Sequence, residues 1–243
     1  MSCLVQPGFW RRVVVNIGPG EARSAVEDDF HCMQVTLRHS HGRLTAIEAK
    51  MERAPWDTCP GAVAQLQATF AGLPLAEIAG RGEKRQNCTH LHDLLLLAAS
   101  HAADAPQSLM YDIHALDPVE GMRKLQLFRN GERLLDWREQ DHRLTIPGDI
   151  AGLSLMELGP WIDSQPPALR EAARLLRWGA IVAHGRTIPM ERQSDASRMP
   201  PSCYTFQPDR ARTARRVGEV RDFNRGSAQP LDAHFSTPTS AAV

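Results

Sequence analysis

Seven residues, Asn87-Cys88-Thr89-His90-Leu91-His92-Asp93, stand directly before the apolar run Leu94-Leu95-Leu96-Leu97-Ala98-Ala99. A helix-capping residue, a thiol, two imidazoles and a carboxylate, followed at once by hydrocarbon, describe the first turn of a buried helix that carries polar chemistry at its mouth. Asn87 is expected as the N-cap, and the backbone N–H groups after it lack intrahelical partners, so they point at whatever lies above the turn. Such an end favours anions. The helix dipole is expected to stabilise a bound carboxylate or phenolate, to lower the pKa of the Cys88 thiol and to disfavour the charged form of a first-turn histidine.

A helix of this kind needs a layer to bury its apolar side. Arg11 to Ile17 is Val-rich, Phe30 to Arg38 has the period of a strand, and Arg43 to Met51 resumes the alternation after the turn His39-Ser40-His41-Gly42, which makes a hairpin. Asp57 or Thr58 is expected to cap a helix with Pro60 in its first turn and Ala62, Val63, Leu66 and Phe70 at helical spacing. Leu109 to Leu116 and Arg123 to Phe128 read as further strands, and Asn130-Gly131 is the strongest turn signal in the chain. Ser154 to Asp163 is helix-compatible, and Pro166-Pro167 opens a longer amphipathic helix. Hairpins, helices, hairpins and helices in that order give an α+β fold: a mostly antiparallel sheet with helices packed on one face, plus a C-terminal tail.

The 243 residues suit one core domain over residues 1–189. Residues 190–243 are expected as an extended or disordered Arg/Pro-rich tail, with Tyr204-Thr205-Phe206 the piece that docks. The 28 basic and 28 acidic side chains balance, so no net field draws the chain to nucleic acid or to a membrane surface. Five widely spaced cysteines are an odd number and point to reduced thiols in the cytoplasm. No basic start leads into an apolar targeting segment, and Leu94 to Ala99 falls far short of the roughly 20 residues that span a bilayer. Homo-oligomerisation is left open.

Four groups of residues have the chemistry for a site. His90 and Asp93 stand three apart on one helix face, which suits a general base oriented by a carboxylate, while Cys88 and His92 share another face. The alternative is a capped helix in which His90 bonds to neighbouring backbone and Cys88 is a small buried hydrophobe. Asp28-Asp29 at a strand start reads most simply as a solvated turn, whereas His31, if it points inward, needs a partner. Arg53 has the geometry to clamp a carboxylate with Trp56 as an aromatic wall, against the alternative of a surface ion pair and a Trp plugging the domain edge. Tyr111, on a strand, is the candidate hydroxyl donor. Cys59, Cys88, His31, His90 and His92 offer ligands suited to zinc, but no paired Cys-x-x-Cys or His-x-x-x-His spacing supports it, so no metal is expected. Nucleotide-binding and nucleophile-elbow motifs are absent, and no cofactor is expected.

Asp-Asp-Phe-His (28–31), Arg-Ala-Pro-Trp-x-x-Cys (53–59) and Asn-Cys-Thr-His-Leu-x-Asp-Leu (87–94) together resemble a bacterial family known mainly as a domain of unknown function, whose members carry a Cys-Thr-His-Leu signature. The likeness covers roughly residues 10–185. It implies relatives that act as cofactor-independent lyases in the breakdown of lignin-derived phenolic compounds, with His31, Arg53, His90 and Asp93 at the matching positions. The expected function is therefore a carbon–carbon lyase acting on a small phenolic aromatic substrate and releasing formaldehyde or carbon dioxide. His31 or His90 would be the base, Asp93 its orienter, Arg53, Cys88 and Thr89 the anion binders, and Tyr111 a donor. The rivals are a non-catalytic binding or assembly module for an acidic ligand, a zinc-dependent hydrolase, and a thiol enzyme using Cys88.

Overall fold

Alternating apolar side chains build the N-terminal strands of the computed structural model, which describes residues 7–78, 80–81, 83–224 and 228–232. They are β1 (Gly8–Gly18), β2 (Glu21–Glu27), β3 (Cys32–Ser40) and β4 (Arg43–Arg53). Farther along come β5 (Gln107–Leu116), β6 (Met122–Arg129), β7 (Glu132–Gln140) and β8 (Arg143–Ile146). The eight strands form an antiparallel sheet in the order β4-β3-β2-β1-β5-β6-β7-β8. Helices α1 (Ala62–Phe70), α2 (Leu75–Ile78), α3 (Thr89–His101), α4 (Gly159–Asp163), α5 (Pro167–Ala183) and α6 (Pro208–Ala211) complete the α+β pattern.

Turn chemistry sets the registers. His41-Gly42 and Asn130-Gly131 are two-residue loops with positive φ at both positions (49° and 72°, 50° and 86°), the primed geometry that matches strand twist. A third such loop, Asp141-His142 (49° and 66°), joins β7 to β8. Strand β2 has little β-branched character, and its fully buried positions include Ala22 and Ser24. Small side chains there let α3 come close, and the Ser24 hydroxyl donates to the Leu94 carbonyl at 2.7 Å.

The chain divides into two compact units. The unit built mainly from Met110–Gln193 packs α5 on β6 and β7. At Gly179 of α5 an added Cβ would lie 2.8 Å from Ile113 Cγ2 on β5. Gly179→Ala is expected to destabilise the fold by about 1–3 kcal/mol through overpacking, read as a lower urea midpoint; an unchanged midpoint would contradict so tight a contact.

The other unit, built from Val13–Leu109 and Ser194–Arg221, packs α3 on β2 and β3 and α1 against β4. The helix expected from Asp57 or Thr58 begins as a 3-10 turn, Cys59–Gly61, and Thr58 makes no side-chain cap because its hydroxyl donates to Thr205. Of the expected tail, Ala196, Thr205, Ala211 and Ala214 are buried, Phe206 packs edge-on against Trp56, and the Tyr204 N–H donates to the Asn87 carbonyl at 2.9 Å. Residues 225–227 and 233–243 lie outside the described residues. No helix among the described residues is long and apolar enough to cross a membrane.

Candidate acid–base site

Four residues, Asp28-Asp29-Phe30-His31, turn the chain from β2 into β3, so His31 precedes the strand rather than lying within it. The Asp28 carboxylate folds back over this turn. Its Oδ1 accepts the N–H groups of Phe30 (2.8 Å) and His31 (2.9 Å), and the Asp28 N–H donates to the His31 carbonyl at 2.9 Å. The same carboxylate lies 3.0 Å and 3.3 Å from His31 Nδ1. A carboxylate accepts, so Nδ1 carries the proton and the lone pair of the neutral ring sits on Nε2. From α3, the imidazole of His90 stacks on that of His31 with centroids 3.8 Å apart and planes inclined by 28°. Asp28 is fully buried, while His31 and His90 keep 8% and 7% of their surface exposed.

Arg53 holds the turn from its other side. Its guanidinium donates to the carbonyls of Asp28 and Asp29, each at 2.7 Å, and to Glu27 Oε1 at 3.0 Å. Arg221 also bonds Glu27 Oε1 at 3.0 Å, and the Leu231 N–H reaches Oε2 at 2.6 Å. Arg53 was expected to clamp a substrate anion. It clamps backbone instead, because buried carbonyls at a turn need donors and Glu27 needs a counter-charge.

At the mouth of α3 the N-cap is Cys88, one residue later than expected, with no side-chain cap hydrogen bond. Asn87 is fully buried and its amide donates to the Glu83 carbonyl and to Thr69, so it ties loops together rather than capping the helix. The expected lowering of the Cys88 pKa is reversed. Burial pushes the thiol up to about 12, outweighing the hydrogen bonds from the backbone of Leu91 and His90. Cys88 in the folded protein is therefore expected to resist iodoacetamide at pH 8 and to react once urea unfolds the chain, as mass spectrometry would read; fast alkylation in the native state would revive the thiol reading. Thr89 opens the helix half-buried.

Asp93 does not orient His90. Its carboxylate takes the Lys84 ammonium at 2.6 Å and lies 3.4 Å from His92 Nδ1. Burial raises its pKa, yet the hydrogen bond from His92 and the charge of Lys84 outweigh burial and hold it below the usual range. A cationic donor competes better for a carboxylate than a neutral imidazole three residues away.

Trp56 fills a small core with Cys59, Ala196, Ala211 and Ala214, so its faces are covered by the chain itself and form no substrate wall. Tyr111 belongs to the other unit. Its hydroxyl donates to Glu171, and burial together with the charge of Glu171 raises its pKa. A cleft of about 410 Å³ is walled by Glu27, Cys32, Glu52, Arg53, Glu219 and Arg221 among others, and neither imidazole is part of it. The anion-holding cavity expected above the helix end is therefore not this cleft.

Two of the expected residues thus come together, His31 and His90, joined by Asp28, whose simplest reading from the sequence is a solvated turn. The missed signal is local: an Asp whose side chain can accept the N–H groups two and three residues on, with a histidine at the third. Residues 14–104, which contain all three side chains, match a family model described as protein of unknown function (DUF2889). The matched domain is thus one of unknown function. No curated protein matches the chain.

Proposed function

We propose that the Asp28–His31–His90 group is the acid–base centre of a lyase that cleaves a carbon–carbon bond in a phenolic aromatic compound. The observation that carries this reading is the carboxylate 3.0 Å from His31 Nδ1 with a second imidazole stacked on the ring. Asp28 fixes the tautomer and stabilises the imidazolium that forms when Nε2 takes a proton from a phenol or side-chain hydroxyl. His90, stacked on His31, is placed to pass the proton on. Collapse of a side-chain alkoxide to formaldehyde, or departure of a side-chain carboxylate as carbon dioxide, leaves the electron pair of the broken bond on the neighbouring carbon, which takes up a proton from the imidazolium. The phenolic class and the type of bond come from the motif resemblance. Cys32, Cys59, Cys88 and Cys203 form no disulfide among the described residues, which fits a reducing compartment such as the cytoplasm.

The test is incubation of the purified chain with a panel of phenolic aryl-propanoid dimers, followed by mass spectrometry for products one carbon smaller. Turnover that disappears in a His31→Gln, His90→Gln double variant supports the reading. Undiminished turnover by that variant removes the base, and no turnover of any panel member removes the substrate class.

A further inference from the structure

We propose that Asp28, His31 and His90 bind one divalent transition-metal ion, with zinc the first candidate. The inference rests on reading these side chains as the working centre, and it adds an ion to that centre. One carboxylate oxygen and one nitrogen from each imidazole lie within 4.8 Å of one another, and all three residues are buried. Two imidazoles and a carboxylate suit zinc and its neighbours, whereas calcium and magnesium demand more oxygen ligands than are present here. Three protein ligands also leave a coordination position for a substrate oxygen, the arrangement of catalytic rather than structural zinc.

The surroundings favour a preformed site. Asp28 is fixed by two backbone N–H groups, and Arg53 anchors the turn through its carbonyls. Glu27 takes the charge of Arg53 and Arg221. A metal on His31 Nδ1 would take the place of the hydrogen that this nitrogen holds toward Asp28 across 3.0 Å, and the neutral ring would carry that hydrogen on Nε2 instead. A bound ion would hold a substrate oxygen and make its hydroxyl easier to deprotonate.

A second group, Glu139, His142 and His184, also brings its ligand atoms within 4.8 Å. There His142 is exposed, and the Arg123 guanidinium acts on Glu139 as a competing cation. That group serves as the control.

The experiment strips the full chain with a chelator and titrates it with Zn(II) by calorimetry and with Co(II) by visible absorption. One zinc per chain is expected, with a four- or five-coordinate Co(II) spectrum. Asp28→Asn and His90→Gln should each weaken binding by at least the ~10- to 100-fold that loss of a supporting partner alone costs, and His184→Gln should not. Thermal melts of the metal-free variants show whether each is folded. No zinc binding by the parent chain at micromolar concentration, or stoichiometric binding that survives both substitutions or depends on His184, overturns the proposal. Turnover by a chain that binds no metal would sink the metal and leave the acid–base reading standing. Zinc bound through these ligands without turnover would do the reverse.

Discussion

Replacing His31 with glutamine is expected to lower the turnover of a phenolic substrate by about 100- to 10,000-fold, the range that a positioned general base contributes. The loss should fall on kcat more than on KM, since the imidazole acts in the transition state and His31 is buried. Asp28→Asn should reproduce much of the effect. The amide oxygen can still accept the N–H groups of Phe30 and His31, so the turn survives, but a neutral amide cannot stabilise the imidazolium. Steady-state kinetics on both variants make the comparison, and His31→Gln turning over within about threefold of the parent chain is incompatible with a base at this position.

The second large effect is on stability. Arg53→Met is expected to cost about 3–5 kcal/mol, because it removes one partner of a buried ion pair and strips two turn carbonyls of their donors. The Arg53 and Glu27 side chains are 8% and 5% exposed, so solvent screens the pair little. Arg221 and the Leu231 N–H still reach Glu27, which keeps the loss toward the lower end of that range. Urea unfolding measures it, and turnover should fall in parallel because the turn that carries His31 is released. Adding Glu27→Gln should restore part of the stability, since the second change removes the charge left without its main partner. A loss below about 1 kcal/mol would mean that Arg53 is a surface-type pair and holds nothing.

The hairpins were legible because their turns are written in single residues. Asn130-Gly131 and Gly42 supply the positive φ that the loops require, and the strands on either side then fall into register. Asp141-His142 makes the same turn from residues less partial to it, which is why β8 was not visible. Strand β2 was hidden by the small residues that let α3 approach, since they carry no strand-like periodicity. Helix α3 was evident from its apolar run, yet its cap moved by one residue because the Asn87 amide had bonds to make elsewhere.

The site was half legible for a related reason. His31 and His90 stand out by residue type, but their partner could not be chosen by spacing. Helical geometry nominates Asp93 for His90, and Lys84, from a neighbouring turn, takes that carboxylate instead. Asp28 reaches His31 only because the turn folds its side chain back, and His90 joins them only because α3 packs on β2 and β3. A ligand set assembled from two distant segments leaves no paired-histidine motif to find. Burial likewise decides the Cys88 thiol, which a helix end alone would have made acidic.

The most direct test of whether Asp28, His31 and His90 act as one unit is a double-mutant cycle on kcat/KM with His31→Gln and His90→Gln, using whichever phenolic dimer the parent chain turns over. Members of one machine are not independent, so the double variant should be no more than a few-fold slower than the worse single variant. Rate losses that simply multiply would mean that the two imidazoles work apart, and the stacked pair would then be packing rather than chemistry.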